Sequence, residues 1–331
     1  MIIENVNNHV LLTGAGFSHN FGSPLAKEMW SLIFNSKKIQ QSESLRLLLL
    51  NDFDYESIYY TVMNGQYSDD EKTVLTEALI NAYKKIDSII KGWKYSGENP
   101  LAFNIYSFQS FIDKFYKRET KSFIFTLNQD QLLERMYYNG NKPAIPGIRY
   151  NPDRYFSTNF DSELHDNPYH VLPSQLEIER VKTEVTSRNY FNYIKLHGSS
   201  NWKTQNDVTR MVIGYNKEAQ IAEEPLLQLY FDIFKGVLSN QSIKLLVCGY
   251  SFSDNHINNI IVDNIQRNNL SLFILTPQDI ISFQKNIVEK ENGQILWNSI
   301  KGYFPYDLKS LFPFDQSTPC YQDILDDNYF C

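Results

Sequence analysis

Short apolar runs that end in small or polar residues recur along the chain, and each predicts a buried β-strand. These runs lie at residues 8–13, 122–127, 192–202, 209–215, 242–254 and 270–277. Most are continuously apolar rather than alternating, which is typical of parallel strands that are covered by helices on both faces. The run at 270–277 is the last strand that this pattern predicts.

Between these strands, apolar residues recur at helical spacing. The segment 24–36 predicts a helix with Pro24 in its first turn, and residues 41–119 predict a mostly helical segment without a strand. Further predicted helices lie at 131–138, 224–239 and 255–266.

The alternation of strands and helices predicts an α/β fold built on a Rossmann-like, doubly wound parallel sheet. Residues 36–119 are expected to form a helical layer or insertion. Residues 140–190 are rich in Pro, Asn, Asp and Tyr and predict an irregular insertion near the ligand site. We interpret residues 1–331 as a single domain that carries both insertions.

Small and polar residues follow four of the predicted strands. In doubly wound sheets, ligands bind beyond the carboxyl ends of the strands. We therefore expect the loops at 14–18, 128–130, 197–200 and 249–254 to converge on one site.

The first loop contains Gly14, Ala15, Gly16 and Ser18, a composition that suits a phosphate cradle in front of a helix. No Lys follows Gly16 at the spacing of a P-loop, and His19 occupies the third glycine position of the dehydrogenase fingerprint. A plain tight turn and a nucleotide site therefore both fit this loop.

The other loops supply candidate chemical groups, each with a structural alternative. Asn128 and Asp130 offer an amide and a carboxylate, although Asp130 also suits the cap of the next helix. His197 is a candidate base at a strand end, or a structural histidine. The small residues of loop 249–254 suit backbone contacts with phosphate or ribose, or a turn that caps the helix at 255.

Composition excludes several classes of function. The 31 Lys and Arg against 38 Asp and Glu give a formal net charge of −7, which argues against direct nucleic acid binding. Three cysteines without a Cys-x-x-Cys pair predict neither a disulfide framework nor a metal site. No secretion signal and no apolar run of roughly 18–20 residues is present, so we expect a cytoplasmic protein without a membrane span.

Taken in order, four motifs carry a resemblance. Gly-Ala-Gly-x-Ser, Thr-x-Asn-x-Asp, Lys-Leu-His-Gly-Ser and Gly-Tyr-Ser-x-Ser-Asp resemble the sirtuin superfamily, and more closely its bacterial sirtuin-like branch. Several members of that branch cleave NAD during anti-phage defence. The resemblance implies that NAD is the ligand, bound as a substrate by one sirtuin-like domain.

The resemblance also implies a role for each motif residue. Asn128 would position a water molecule beside the nicotinamide ribose, Asp130 would contact the nicotinamide amide, and His197 would act on ribose hydroxyls. The diphosphate would contact Gly14, Ala15, Gly16 and Ser18. The adenosine side would be lined by Gly249, Ser251 and Ser253.

Two departures from the sirtuin deacylases bear on the reaction. Residues 22–27 read GSPLAK, so the Asp-Phe-Arg element of the deacylases is missing, and residues 198–215 contain no Cys and predict only a short connection instead of a zinc module. Because that module helps to build the acyl-lysine cleft, its loss argues against peptide deacylation.

Three functions therefore follow, in descending order. The first is an NAD glycohydrolase that acts as the toxic effector of a bacterial anti-phage system. The second is a sirtuin-type protein deacylase or ADP-ribosyltransferase. The third is a non-catalytic nucleotide-sensing scaffold, whose usual mark is loss of the Asn or His that this chain retains. A toxic NADase needs a gate, so we also expect a homo-oligomer assembled through 36–119, or a separate sensor or activating subunit.

Overall fold

The computed structural model describes residues 1–93, 104–136, 143–148, 170–204, 209–315 and 317–331. The strands are β1 (His9–Thr13), β2 (Ser122–Thr126), β3 (His170–Val171), β4 (Phe191–Lys195), β5 (Gly198–Lys203), β6 (Thr209–Met211), β7 (Lys244–Cys248), β8 (Ser271–Leu275) and β9 (Ile300–Phe304).

Helices surround these strands. Before β4 they are α1 (Ala15–His19), α2 (Ala26–Phe34), α3 (Lys37–Gln41), α4 (Glu43–Asn51), α5 (Tyr55–Asn64), α6 (Asp69–Trp93), α7 (Ile105–Asp113), α8 (Leu132–Met136) and α9 (Gln175–Ser187). After β6 they are α10 (Lys217–Ala222), α11 (Pro225–Leu238), α12 (Asn255–Asn268), α13 (Ile280–Val288), α14 (Gly293–Asn298), α15 (Leu308–Leu311) and α16 (Gln322–Leu325), which runs into a π-helical turn at Asp326–Phe330.

The central sheet is parallel throughout and has the strand order β4-β2-β1-β7-β8-β9. The chain builds outward from β1 through β2 to β4 and then returns to the other side of β1 with β7. The topological switch point therefore lies between β1 and β7, where a doubly wound sheet places its ligand. The predicted Rossmann-like α/β fold is confirmed.

Apolar side chains on both faces of the sheet explain why its strands are continuously hydrophobic. Val10, Leu11 and Leu12 of β1 are fully buried. On one face, the ring of Phe125 in β2 packs edge-on against Phe234 of α11, with ring centroids 4.8 Å apart. Burial of this kind contributes about 1.5–3 kcal/mol per large apolar side chain, so it dominates the stability of the layer.

The helices α2 to α7 form a layer whose apolar stripes face inward. Leu45 and Leu49 of α4 and Ile58 and Val62 of α5 are all buried at i, i+4 spacing. Asp54 starts α5, because its side chain accepts a hydrogen bond from the backbone N–H of Glu56 at 3.0 Å. Within the described residues of 41–119 there is no strand, as the sequence predicts.

Three predictions of local structure were wrong. The run at 192–202 is predicted to be a strand that runs into a Gly-Ser turn, but Gly198, with a φ of +74°, instead begins a second strand, β5. With β3 and β6, β5 forms a second, three-stranded sheet, so residues 198–215 are more than a short connection. A ninth strand, β9, also pairs with β8 beyond the predicted last strand.

The insertion at 140–190 was predicted to be irregular, but part of it is helical. Helix α9 starts with a capping box in which Ser174 and Glu177 satisfy each other's backbone N–H groups. Residues 137–142 and 149–169 lie outside the described residues. Among the residues that the structure does describe, no helix is both long and apolar enough to cross a bilayer.

Candidate functional site

Two glycine loops interlock at the switch point between β1 and β7. The backbone N–H of Gly14 donates to the carbonyl of Cys248 at 3.0 Å, and the N–H of Gly16 donates to the carbonyl of Gly249 at 2.9 Å. A Cβ at Gly16 would lie 2.9 Å from the Cα of Gly249, so side chains are excluded here. The predicted open loop at 14–18 is instead Gly14 followed directly by the first turn of α1.

Gly249→Ala is expected to destabilise the protein. Gly249 has a φ of +67°, and an added Cβ would overlap the backbone of Gly16 and Phe17. The left-handed backbone alone costs about 1–2 kcal/mol for a residue with a Cβ. Gly22→Ala is the control, because Gly22 has a φ of +86° but its Cβ would meet only the side chain of Ile89. Urea unfolding of both variants checks this, and an equal loss of stability in the two would contradict it.

Asn128 joins the loop after β2 to the glycine loop. Its Nδ2 donates to the carbonyl of Gly14 and to the hydroxyl of Ser18, both at 2.9 Å. Its backbone N–H donates to Oγ1 of Thr126 at 3.0 Å. No hydrogen bond to its side-chain oxygen Oδ1 is present among the described residues. The amide is therefore held by its nitrogen, and its oxygen is left to accept a hydrogen bond from a ligand.

Four further residues of the predicted site differ in their exposure to solvent. Asp130 is buried, and its Oδ1 accepts a hydrogen bond from the N–H of Leu132 at 2.9 Å, as the capping alternative expects. Ala15 is exposed. Ser251 and Ser253 are also exposed, and their hydroxyls are 3.0 Å apart.

His197 lies in the turn between β4 and β5 and is only 3% exposed. Its Nε2 is 3.1 Å from Nε2 of His256, the second residue of α12. The loops after β4 and β7 therefore meet through two imidazoles. Burial, together with the nearby Lys217 and His256 and against the attraction of Asp254, lowers the pKa of His197 to about 3. His197 is thus a neutral base at neutral pH.

A chain of charged groups runs from the histidine pair to the helical layer. Nζ of Lys217 in α10 lies 2.8 Å from Oδ1 of Asp254 and 2.9 Å from Oε2 of Glu56 in α5. Burial opposes ionisation of Asp254, but the neighbouring His197 and Lys217 outweigh it and lower the pKa of the carboxyl. Burial also opposes the charge of Lys217, whereas Glu56 and Asp254 raise its pKa above the ordinary value.

The four loops converge, as the sequence predicts. Asn128 binds the first loop, Gly16 binds the fourth, and the backbone N–H of Ser200 donates to the carbonyl of Gln129 at 3.0 Å. The sequence interpretation missed His256, Lys217 and Glu56. A signal existed for His256, which stands two residues after the Gly-Tyr-Ser-x-Ser-Asp motif. Lys217 and Glu56 come from distant segments, and no local pattern marks them.

A buried ion pair joins two elements that carry residues of the site. Nζ of Lys195, at the end of β4, lies 2.8 Å from Oε1 of Glu134 and also donates to the backbone carbonyl of Asp130. Both side chains are almost fully buried. Burial raises the pKa of Glu134, and the charge of Lys195 opposes that rise. The pair thus joins the loop after β2 to the strand that carries His197.

Lys195→Met is expected to lower the free energy of unfolding by about 3–5 kcal/mol, because it leaves a buried carboxylate without a cation. The pKa of Glu134 then rises further in the folded state, so the loss shrinks as the pH falls and grows as it rises. Denaturant unfolding at acidic and alkaline pH checks this. Lys38→Met, which removes an exposed pair with Glu77, should change stability by only about 0–1 kcal/mol. Equal losses in the two variants would contradict the prediction.

The fold and these loops agree with a comparison of the sequence with known families. Residues 122–300, more than half of the chain, match the family model of the SIR2-like domain. The chain belongs to the SIR2-like family. A search of curated proteins with this sequence gives no match. SIR2-like domains use NAD as a substrate, which supports an NAD-dependent function for this member.

The cysteines of this SIR2-like chain do not fit the four-cysteine zinc module of the deacylases. The whole sequence has three cysteines, which are one too few. Cys248 is buried at the end of β7, whereas Cys320 and Cys331 are exposed. The segment that would hold the module carries β5 and β6 instead, and Trp202 in β5 is buried.

Proposed function

We propose that this SIR2-like protein is an NAD glycohydrolase, which cleaves NAD to nicotinamide and ADP-ribose. The observation that carries the proposal is the hydrogen bonding of the Asn128 side chain. Its nitrogen is fixed to Gly14 and Ser18, while Oδ1 has no partner among the described residues. A fixed amide oxygen beside a glycine loop is suited to orient a water molecule. Positioning of this kind is a large source of rate acceleration.

The chemistry requires little more than this positioning. The nicotinamide of NAD is cationic, and it leaves as a neutral molecule with the electron pair of the glycosidic bond. The ribose then has oxocarbenium character, and water attacks it. Asn128 would hold that water through Oδ1, and the neutral His197 would take a proton from the water or from a ribose hydroxyl. Gly14, Ala15, Gly16 and Ser18 would hold the diphosphate, and Asp130 would hold the nicotinamide amide.

The adenosine half of NAD is assigned to the second glycine loop. Gly249 is interlocked with Gly16, so a nucleotide that reaches across the switch point would extend from one loop to the other. Ser251 and Ser253 are exposed beyond Gly249, where they would contact the adenosine side. These assignments rest on the sirtuin resemblance together with the convergence of the loops.

A transferase is the second candidate function. It would use the same Asn128 and His197 but pass ADP-ribose, or the acyl group of a lysine, between protein and nucleotide. Water is favoured as the acceptor because the chain lacks the cysteines of the module that helps to build a peptide cleft. A nucleotide-sensing scaffold ranks third, because it would need neither the free Oδ1 of Asn128 nor a buried neutral His197.

In the cell, we assign this activity to a toxic effector of a bacterial anti-phage system, on the strength of the sirtuin-like resemblance. Such an effector requires a gate. The ion pairs of Glu56 and Asp254 with Lys217 link the helical layer to the histidine pair, so assembly through that layer would reach the site. Exposed Leu47, Leu50 and Phe53 give the layer an apolar surface that suits self-association or an activating subunit.

The acceptor decides between hydrolase and transferase. Purified protein should be incubated with NAD labelled in its adenylate half, with and without an acetylated peptide and a bacterial extract. The hydrolase proposal predicts that all of the label appears as free ADP-ribose in every sample. Label on protein, or an acetylated ADP-ribose that appears only with the peptide, would assign the transferase instead.

A further inference from the structure

Two imidazoles in direct contact constrain each other's protons. Nε2 of His197 and Nε2 of His256 are 3.1 Å apart, which is hydrogen-bonding distance. When both rings are neutral, one Nε2 must carry the proton and the other must accept it. No hydrogen bond to Nδ1 of either ring is present among the described residues. The pair therefore shares one proton between the two Nε2 atoms, and Nδ1 of each ring has no hydrogen-bond partner among the described residues.

The two rings differ in their access to water. His197 is 3% exposed, whereas His256 is only partly buried at the start of α12. The ring of Phe231 packs beside His256 with centroids 5.5 Å apart and helps to fix its orientation. A proton that is taken up at His197 thus has a more exposed imidazole as its neighbour.

Hydrolysis of NAD produces a proton in each turnover. Water forms a bond to the ribose carbon and loses a proton, while nicotinamide leaves as a neutral molecule. If His197 takes that proton, burial disfavours the imidazolium that forms. While the products still fill the site, the buried ring alone offers this proton no route to solvent.

We propose that His256 is the proton-exit residue of this site. The proposal rests on the proposed hydrolase function. Nδ1 of His197 takes the proton from water while its Nε2 proton moves to Nε2 of His256, and His256 then releases the proton on its Nδ1 to solvent. After the products leave, water that enters the emptied site takes the proton from Nδ1 of His197, the proton on Nε2 of His256 returns to Nε2 of His197, and Nδ1 of His256 takes up a proton from solvent. Two protons released and one taken up give a net release of one proton for each NAD cleaved.

The charges around His256 support a transient positive charge there. Burial lowers the pKa of His256 below its ordinary value. Asp254 opposes this by favouring the charged ring, Lys217 adds to it, and Glu218 of α10 favours the charged ring to a smaller degree. Oε2 of Glu56 lies 2.9 Å from Nζ of Lys217. The ion pairs of Lys217 with Asp254 and Glu56 offset part of its repulsion, so that the partly exposed ring accepts a proton more readily than His197 does.

A divalent metal is the competing occupant of this place. Possible ligand atoms of His197, Asp254 and His256 lie within 4.8 Å of one another. Lys217 argues against a metal, because its ammonium already holds Asp254 at 2.8 Å and puts a positive charge beside one of the possible ligand atoms. The two occupants make different predictions, because a metal would be measurable by elemental analysis and a proton relay would not.

His256→Ala and His256→Gln test the relay, with Asn259→Ala on the exposed side of α12 as the matched control. The loss of a proton carrier should lower kcat by about 10–10²-fold while KM stays near the wild-type value. Added imidazole should restore kcat in proportion to its free base, and the slow variants should show a larger solvent deuterium effect. Asn259→Ala should behave as the wild type. His256→Gln keeps the size of the side chain, so it tests the relay even if the alanine variant does not fold.

The outcomes separate the relay from the hydrolase function. If the wild type cleaves NAD and folded His256→Gln does so at the same rate, the relay is wrong and the hydrolase stands. A slow variant that imidazole does not restore would make His256 structural and would also overturn the relay. Stoichiometric zinc that is lost in the His256 variants would assign a metal site instead. If the wild type binds NAD but does not cleave it, the hydrolase function itself fails.

Discussion

His197→Ala is expected to lower NAD cleavage by about 10²–10⁴-fold, which is the usual effect of removing a positioned general base. His197 is buried in the turn after β4 and is neutral, so its lone pair is available to a proton on water or ribose. NAD should still bind, because the backbone of the glycine loops does not contact this side chain. Nicotinamide release and NAD affinity should be measured on the same folded preparation.

His9→Ala is the matched control for this change. His9 is only partly buried, but burial lowers its pKa as well. It lies at the amino end of β1, where Nε2 donates to the carbonyl of Tyr329 at 3.0 Å. Its loss should reduce stability and leave the turnover of folded protein intact. Undiminished nicotinamide release from His197→Ala would refute its role. Loss of folding or of all NAD binding would make His197 structural.

Asn128→Ala is expected to lower NAD cleavage by about 10²-fold or more, because the attacking water is then no longer held in position. The change removes Oδ1 together with two hydrogen bonds to the glycine loop. We therefore expect a small loss of stability besides the loss of turnover. NAD should remain bound through backbone groups of that loop, and calorimetric titration of the variant checks this.

Asn240→Ala controls for the loss of a partly buried amide. Nδ2 of Asn240 donates to the carbonyls of Ile3 and Gly236 at 3.0 and 2.9 Å, away from the carboxyl edge of the sheet. It should lose stability but cleave NAD at the wild-type rate. If Asn128→Ala retains full activity, or if both variants lose activity alike, the assigned role of Asn128 is wrong.

The strands that meet at the site could be predicted because each one is a local pattern. Leu11, Ile124 and Leu246 are buried on a parallel sheet, and a continuous apolar run signals such burial. The small residue or polar group after each run then marks the edge where ligands bind. β9 was missed because it lies at the edge of the sheet, and Gly302 interrupts its apolar pattern.

The partners of the site residues could not be predicted from local patterns. His256 faces His197 only because β4 and β7 bring loops from distant parts of the chain to the same edge. Glu56 and Lys217 are 161 residues apart in the sequence. The position of Glu56 on an amphipathic helix gives no sign of their contact. Asp130 shows a second limit of the sequence. It belongs to a motif and also caps a helix, and the motif alone does not distinguish the two roles.

The most direct test of the central claim is the product balance of the purified chain with NAD. Nicotinamide and ADP-ribose should be quantified by chromatography over time, together with the NAD that remains. The proposed hydrolysis predicts equal amounts of the two products, each matching the NAD consumed, and almost none from His197→Ala. If the folded wild type binds NAD but releases neither product at any protein concentration, the claim that this SIR2-like chain hydrolyses NAD is contradicted.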